Sequence, residues 1–140
     1  MPARAMVFTF PASLHYLTAV RHAVHAFCAD VLDSEAFEEQ VYQLQLAVSE
    51  LATNIITHAY RGRTPGSVEM RGQGADAVVT LEFFDTGTAY EPKAPQLPDL
   101  ADLAEGGYGS FIIQQCVDHV AYDRADGRNH WGLEKRFIRK

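Results

Sequence analysis

Two stripes of apolar residues at helical spacing follow each other early in this chain, and pairs of β-rich runs come after them. Leu14, Leu17, Val20, Val24 and Phe27 recur at three- and four-residue steps behind Ser13, a residue suited to capping a helix, and the pattern breaks at 30–33. Val41, Leu44, Val48, Leu51 and Ile55 repeat the spacing from a start near Ser34 and Glu38 to about Tyr60. A helix with one apolar face needs a second layer to cover it, and the rest of the chain must supply that layer.

The remaining segments read as strands. Met6 to Phe10 alternate and then meet Pro11, which cannot donate to a ladder, so an opening edge strand is expected. Ser67 to Arg71 and Ala77 to Phe84 form a hairpin with Gly72, Gln73 and Gly74 as its turn. From Thr86 to Gly106 three prolines and little periodicity suggest a mobile excursion, a lid over roughly 88–106. Gly106 to Gly109 then opens a helix with Phe111, Ile112, Ile113 and Val117, and Val120 to Asp123 and Trp131 to Ile138 close the chain as strands around Asp126 and Gly127.

This order is not the strict alternation of a doubly wound fold. It implies an α+β architecture, a two-layer α/β sandwich with a mixed, mostly antiparallel sheet and helices on one face. With 140 residues, 47% of them hydrophobic, one domain over 1–140 is expected.

The totals exclude several functions. Twelve Lys and Arg against eighteen Asp and Glu leave a net charge of -6, a repulsive field for a phosphate backbone, so direct nucleic-acid binding is not expected. Cys28 and Cys116 match neither a zinc knuckle nor a disulfide framework and fit reduced thiols in the cytoplasm. No window approaches a membrane span and the first ten residues lack a signal-peptide core, so a soluble, unexported chain is expected.

Three groups of residues can carry chemistry. Glu50, Asn54 and His58 stand four residues apart and drift only ~40° per step around a helix, forming a polar stripe beside the apolar one. The Asn54 amide oxygen suits Mg²⁺, which takes few ligands from protein, and Glu50 can orient or deprotonate a hydroxyl. A solvated helix face explains the same spacing. Asp85 ends an apolar run and precedes Gly87, which sets an acceptor for a purine amino group beside a residue without a Cβ; an ordinary Asp-x-Gly turn fits it too. Gly106, Gly107 and Gly109 precede a helix, whose free amides and positive dipole end can face an anion, although a flexible connection also explains them. In combination and in this order they describe a nucleotide site. His22, His25 and Cys28, at three-residue steps, fit an ordinary helix edge better than a metal site.

The segment from Val48 to Tyr60, Val-Ser-Glu-Leu-Ala-Thr-Asn-Ile-Ile-Thr-His-Ala-Tyr, resembles the N-box of the GHKL (Bergerat-fold) ATPases in the form found in bacterial anti-sigma-factor serine/threonine kinases. Asp85-Thr-Gly87 with Tyr90-Glu91-Pro92 resembles their G1 box, and Gly106-Gly-Tyr-Gly-Ser-Phe-Ile-Ile113 their G2 box. The resemblance spans nearly the whole chain. It implies the Bergerat sandwich, ATP and Mg²⁺ as cofactors, Glu50 as base toward a partner's hydroxyl, Asn54 as Mg²⁺ ligand, and Asp85 as adenine acceptor. It further implies a nucleotide-binding surface including His58, Gly87, Gly106, Gly107, Tyr108, Gly109 and Ser110. Family members typically bind a sigma factor and phosphorylate an anti-anti-sigma partner of the STAS type, often as homodimers. Asn129-His130-Trp131 stands where some members carry Gly-Thr, which implies one lost hydroxyl contact on the phosphate side.

Two other functions share these boxes. One is a binding switch that uses ATP only to order its lid and partner face. The other is a histidine-kinase catalytic fragment, which the missing upstream dimerisation hairpin disfavours.

Overall fold

Strand β1 (Arg4–Pro11) leads through a 3-10 turn at Leu14–Tyr16 into helix α1 (Leu17–Val31), and helix α2 (Glu38–Asn54) continues into a π turn at Ile55–Ala59. Then follow β2 (Ser67–Ala75), β3 (Val78–Asp85), α3 (Gly109–Cys116), β4 (His119–Ala125) and β5 (Arg128–Arg136). The computed structural model describes residues 3–32, 35–62, 64–90 and 109–139.

The sheet runs β1-β2-β3-β5-β4, and all of its observed pairings are antiparallel. β1 takes the edge, where Pro11 costs no ladder bond on its free side. The helices cover one face. Val20, Val24, Phe27, Cys28 and Val31 of α1 and Leu44, Val48 and Leu51 of α2 bury against Val68, Met70, Val79, Leu81, Phe83 and Leu133 of the strands. Each such aliphatic or aromatic side chain contributes about 1.5–3 kcal/mol by leaving water. Leu14, expected in the α1 stripe, instead lies in the 3-10 turn and is half exposed, and Ser13 caps that turn by accepting from the His15 amide.

The first hairpin differs from the expectation. Its turn is Asp76-Ala77, both residues left-handed with φ of 53° and 64°, while Gly72 and Gly74 lie within β2. Packing explains the glycines. A Cβ on Gly72 would come within 3.0 Å of Phe27, and one on Gly74 within 2.7 Å of Val31. The two glycines let α1 settle onto the sheet, a close approach and not a turn. The second turn is Asp126-Gly127, also left-handed at both residues, as its Asp-Gly pair suggests.

β5 ends at Arg136, and the tail returns to α2. Gln40 Nε2 donates to the Ile138 carbonyl at 2.8 Å, and the Ile138 amide donates back to Gln40 Oε1 at 2.9 Å.

Candidate nucleotide site

Along β3 alternate residues face the helices, and the alternation carries Asp85 to the covered side, where it is 2% exposed. One carboxylate oxygen is saturated. Asp85 Oδ1 accepts from the Gly87 amide at 2.9 Å and from Asn129 Nδ2 at 2.8 Å. The other, Oδ2, is buried without a hydrogen-bond partner among the described residues. A buried acceptor in that state costs free energy unless a ligand supplies a donor.

The turn after β3 is fastened to the end of α2. The Thr88 amide donates to the Ala59 carbonyl at 2.6 Å and the Thr86 amide to the Tyr60 hydroxyl at 3.1 Å. A Cβ on Gly87 would lie 2.5 Å from the Ala59 oxygen, so glycine is required there by protein backbone.

Glu50 and Asn54 lie on α2, both half-buried and without side-chain hydrogen-bond partners among the described residues. Glu50 borders a groove of about 560 Å³ between α1 and α2, shared with Arg21, Tyr42, Ser49 and Thr53. Beyond Asn54 the α-helical periodicity fails. Thr53 and Thr57 hydroxyls donate to the carbonyls of Ser49 and Thr53, each at 2.7 Å, and the helix widens into its π turn. His58 consequently does not continue the half-buried stripe. It is exposed, its Nδ1 3.4 Å from the Arg61 guanidinium.

Asn129 lies opposite Asp85 in the β3–β5 register and is 2% exposed. Its Nδ2 also faces the carbonyls of Thr88 at 3.0 Å and Gly87 at 3.4 Å, and its Oδ1 accepts from the Tyr122 hydroxyl and from Arg124 Nη1 at 2.8 Å. Asn129, expected where a phosphate-side hydroxyl contact would be lost, thus bonds to the Asp85 carboxylate and to the turn that follows β3. Trp131, Tyr122 and Tyr90 cluster beside it with ring centroids 4.6–5.5 Å apart. Sequence reasoning passed over Tyr122 and Arg124. Their signal was available in the hairpin, since residues flanking Asp126-Gly127 pair across it and Arg124 falls opposite Asn129.

Of the expected glycine turn, Gly109 is the first residue of α3 and Ser110 is exposed, whereas Gly106, Gly107 and Tyr108 lie outside the described residues, as does the part of the expected 88–106 lid beyond Tyr90. α3 is tied down at its far end. Buried Lys135 donates from Nζ to the Cys116 carbonyl at 2.6 Å and to Gln43 Oε1 at 3.1 Å, bridging α3 to α2. Burial lowers the Lys135 pKa, opposed by Asp118 and Cys116. Burial raises that of the Cys116 thiol; Lys135 opposes the rise and Glu50 adds to it.

The donor set fits a nucleotide. Asp85 Oδ2 awaits an N–H donor. No group of three or more His, Cys, Asp or Glu able to hold a metal exists among the described residues. Asn54, half-buried on α2, offers an amide oxygen of the kind Mg²⁺ accepts beside phosphate and water. His22 and His25 are exposed while Cys28 faces the core, so these three do not converge.

Comparison with known proteins agrees with this geometry. Residues 10–134 match the histidine kinase-like ATPase domain. The serine/threonine-protein kinase BtrW of Bordetella bronchiseptica is 30% identical over 96 residues, 66% of this chain and 68% of that protein. An anti-sigma F factor of Caldanaerobacter subterraneus is 30% identical over 112 residues, 77% of this chain and 76% of that protein. The crystal structure of the RsbU and RsbW domains of a Mycobacterium tuberculosis protein shares the fold at a TM-score of 0.70 and 17% identity, covering 99% of this chain, which spans 33% of that longer one. Three motif boxes in order, an antiparallel sheet covered on one face and a match over nearly the full length place this chain in the histidine kinase-like ATPase family.

Proposed function

We propose that this chain is a cytoplasmic anti-sigma regulatory factor that binds Mg²⁺-ATP, phosphorylates a serine or threonine of a STAS-type anti-anti-sigma partner, and binds a sigma factor. The unpartnered Asp85 Oδ2 carries the nucleotide part of this reading, because a buried carboxylate oxygen left without a donor matches the exocyclic amino group of adenine. The names of its relatives, a serine/threonine-protein kinase and an anti-sigma F factor, support the kinase and anti-sigma parts. No helix among the described residues is long and apolar enough to cross a membrane.

Bound Mg²⁺-ATP supplies the phosphoryl group and the charge neutralisation for its transfer. Asn54 would hold the ion through its amide oxygen and Asp85 would fix the adenine, with Gly109 opening α3. Glu50 borders the groove between α1 and α2, where its carboxylate would take the proton of a partner's hydroxyl as that oxygen bonds to the γ-phosphorus and ADP leaves.

Radiolabelled phosphate transfer to a co-purified STAS-type protein tests the proposal. Glu50→Ala should keep ATP binding and lower transfer by about 10²–10⁴-fold, while Asn54→Ala should weaken Mg²⁺-ATP binding itself. Transfer at the wild-type rate by the Glu50→Ala protein refutes the base assignment.

A further inference from the structure

We propose that Asn129 is a positioning residue that makes Asp85 selective for a purine bearing a 6-amino group. The inference rests on the nucleotide reading and goes beyond it by naming what aims the carboxylate.

The argument starts from the amide of Asn129, whose orientation is set on both sides. Its Oδ1 faces two donors, the Tyr122 hydroxyl and Arg124 Nη1, and its Nδ2 faces three acceptors, Asp85 Oδ1 and the carbonyls of Gly87 and Thr88. Turning the amide over would set its N–H against the Arg124 guanidinium, which can only donate, and its oxygen against three acceptors. Asn129 is therefore locked as a donor to Asp85.

That lock fixes the carboxylate. With the Gly87 amide and Asn129 Nδ2 both on Oδ1, rotation of the Asp85 carboxylate would break two buried hydrogen bonds, so Oδ2 remains the one open acceptor. A 6-amino group supplies the missing donor. A purine without it leaves Oδ2 unpaired, and a 6-oxo purine sets acceptor against acceptor.

Calorimetric binding to the full-length chain with Mg²⁺ tests this, comparing ATP with purine riboside triphosphate, which lacks only the 6-amino group. Wild-type protein should prefer ATP by about tenfold or more, the worth of a hydrogen bond to a charged group. Asn129→Ala should bring the two affinities within about threefold, chiefly by weakening ATP. Tyr122→Phe, which removes a hydroxyl that orients the amide and also accepts from the Tyr90 amide at 3.0 Å, should shift the ratio the same way by less, and it decides the matter if Asn129→Ala does not fold by circular dichroism. A purely structural role would lower both affinities together and leave the ratio unchanged, and an unchanged ratio in the folded variants overturns the inference. Equal wild-type affinity for the two nucleotides overturns it while sparing the nucleotide reading. Wild-type protein that binds neither overturns that reading and this inference with it.

Discussion

Gly87 and Ala59 meet backbone to backbone: a Cβ on Gly87 would lie 2.5 Å from the Ala59 carbonyl oxygen and 2.7 Å from its carbon. The contact joins the turn that follows Asp85 to the π turn that follows Asn54, so the elements carrying these two residues are held by one junction. The widened turn at Ile55–Ala59 carries the Ala59 carbonyl that makes this contact and accepts from the Thr88 amide.

Gly87→Ala should therefore damage fold and site together. The added methyl meets backbone, which cannot swing aside as a side chain can, and overpacking of this kind costs about 1–3 kcal/mol. Urea denaturation should show that loss and calorimetry a weaker ATP affinity. Unchanged stability would mean the junction yields freely.

Asp85→Asn should separate stability from binding. An amide whose carbonyl takes the place of Oδ1 keeps the bonds from Gly87 and Asn129 and turns its NH₂ to the position of Oδ2, replacing a half-satisfied buried carboxylate by a neutral group. Unfolding free energy should stay level or rise by about 1 kcal/mol, while ATP affinity falls by about 10²-fold as donor meets donor. ATP binding at wild-type strength would remove Asp85 from the base site.

Gly74 and Val31 should behave as a coupled pair. A Cβ on Gly74 would lie 2.7 and 2.8 Å from the two γ-carbons of Val31, a clash with a side chain and not with backbone. Gly74→Ala alone should cost about 1–3 kcal/mol, Val31→Ala alone should leave a cavity, and the double variant should lose less than the two costs summed. Additive losses would show that α1 does not rest on Gly74.

Residues whose pattern has a single physical cause were legible. The apolar periods of α1 from Leu17 on and of α2, Pro11 at the sheet edge and the Asp126-Gly127 turn each follow from one local rule and stand where expected. Gly72 and Gly74 misled because glycine marks both turns and close approaches, and only the position of α1 decides between them. Ala77 gave no turn signal, since a non-glycine residue takes φ of 64° only where neighbours hold it, here the Phe137 amide bonded to its carbonyl. Candidate site residues could be singled out where one element supplied the pattern, as at Glu50, Asn54 and Asp85. The site was illegible where pairing between β3, β5 and β4 assembled it, as at Asn129, Arg124 and Tyr122. His58 fell out of the stripe because a π turn cannot be read from a spacing of four.

Cys28 supplies a test of the core that is independent of nucleotide. The side chain is fully buried, and burial pushes its thiol from 9.0 up to about 12. A folded-state value above the unfolded one contributes stability at pH values below the unfolded value and loses it as pH rises toward the folded value, because only the unfolded chain ionises in that window. Between about pH 8 and about pH 10 Cys28 should thus account for a loss of about 1.4 kcal/mol. Cys116, raised in the same direction, adds to the loss, while Lys135, lowered by burial, works against it because the unfolded chain keeps its proton to higher pH. Both groups remain in a Cys28→Ala protein, and its packing cost is the same at each pH. The difference between wild type and variant in urea unfolding at the two pH values therefore isolates Cys28: the variant should lose about 1.4 kcal/mol less on going to the higher pH. Equal losses in the two proteins would mean that solvent reaches this thiol in the folded state and that α1 does not seal the core as it lies here.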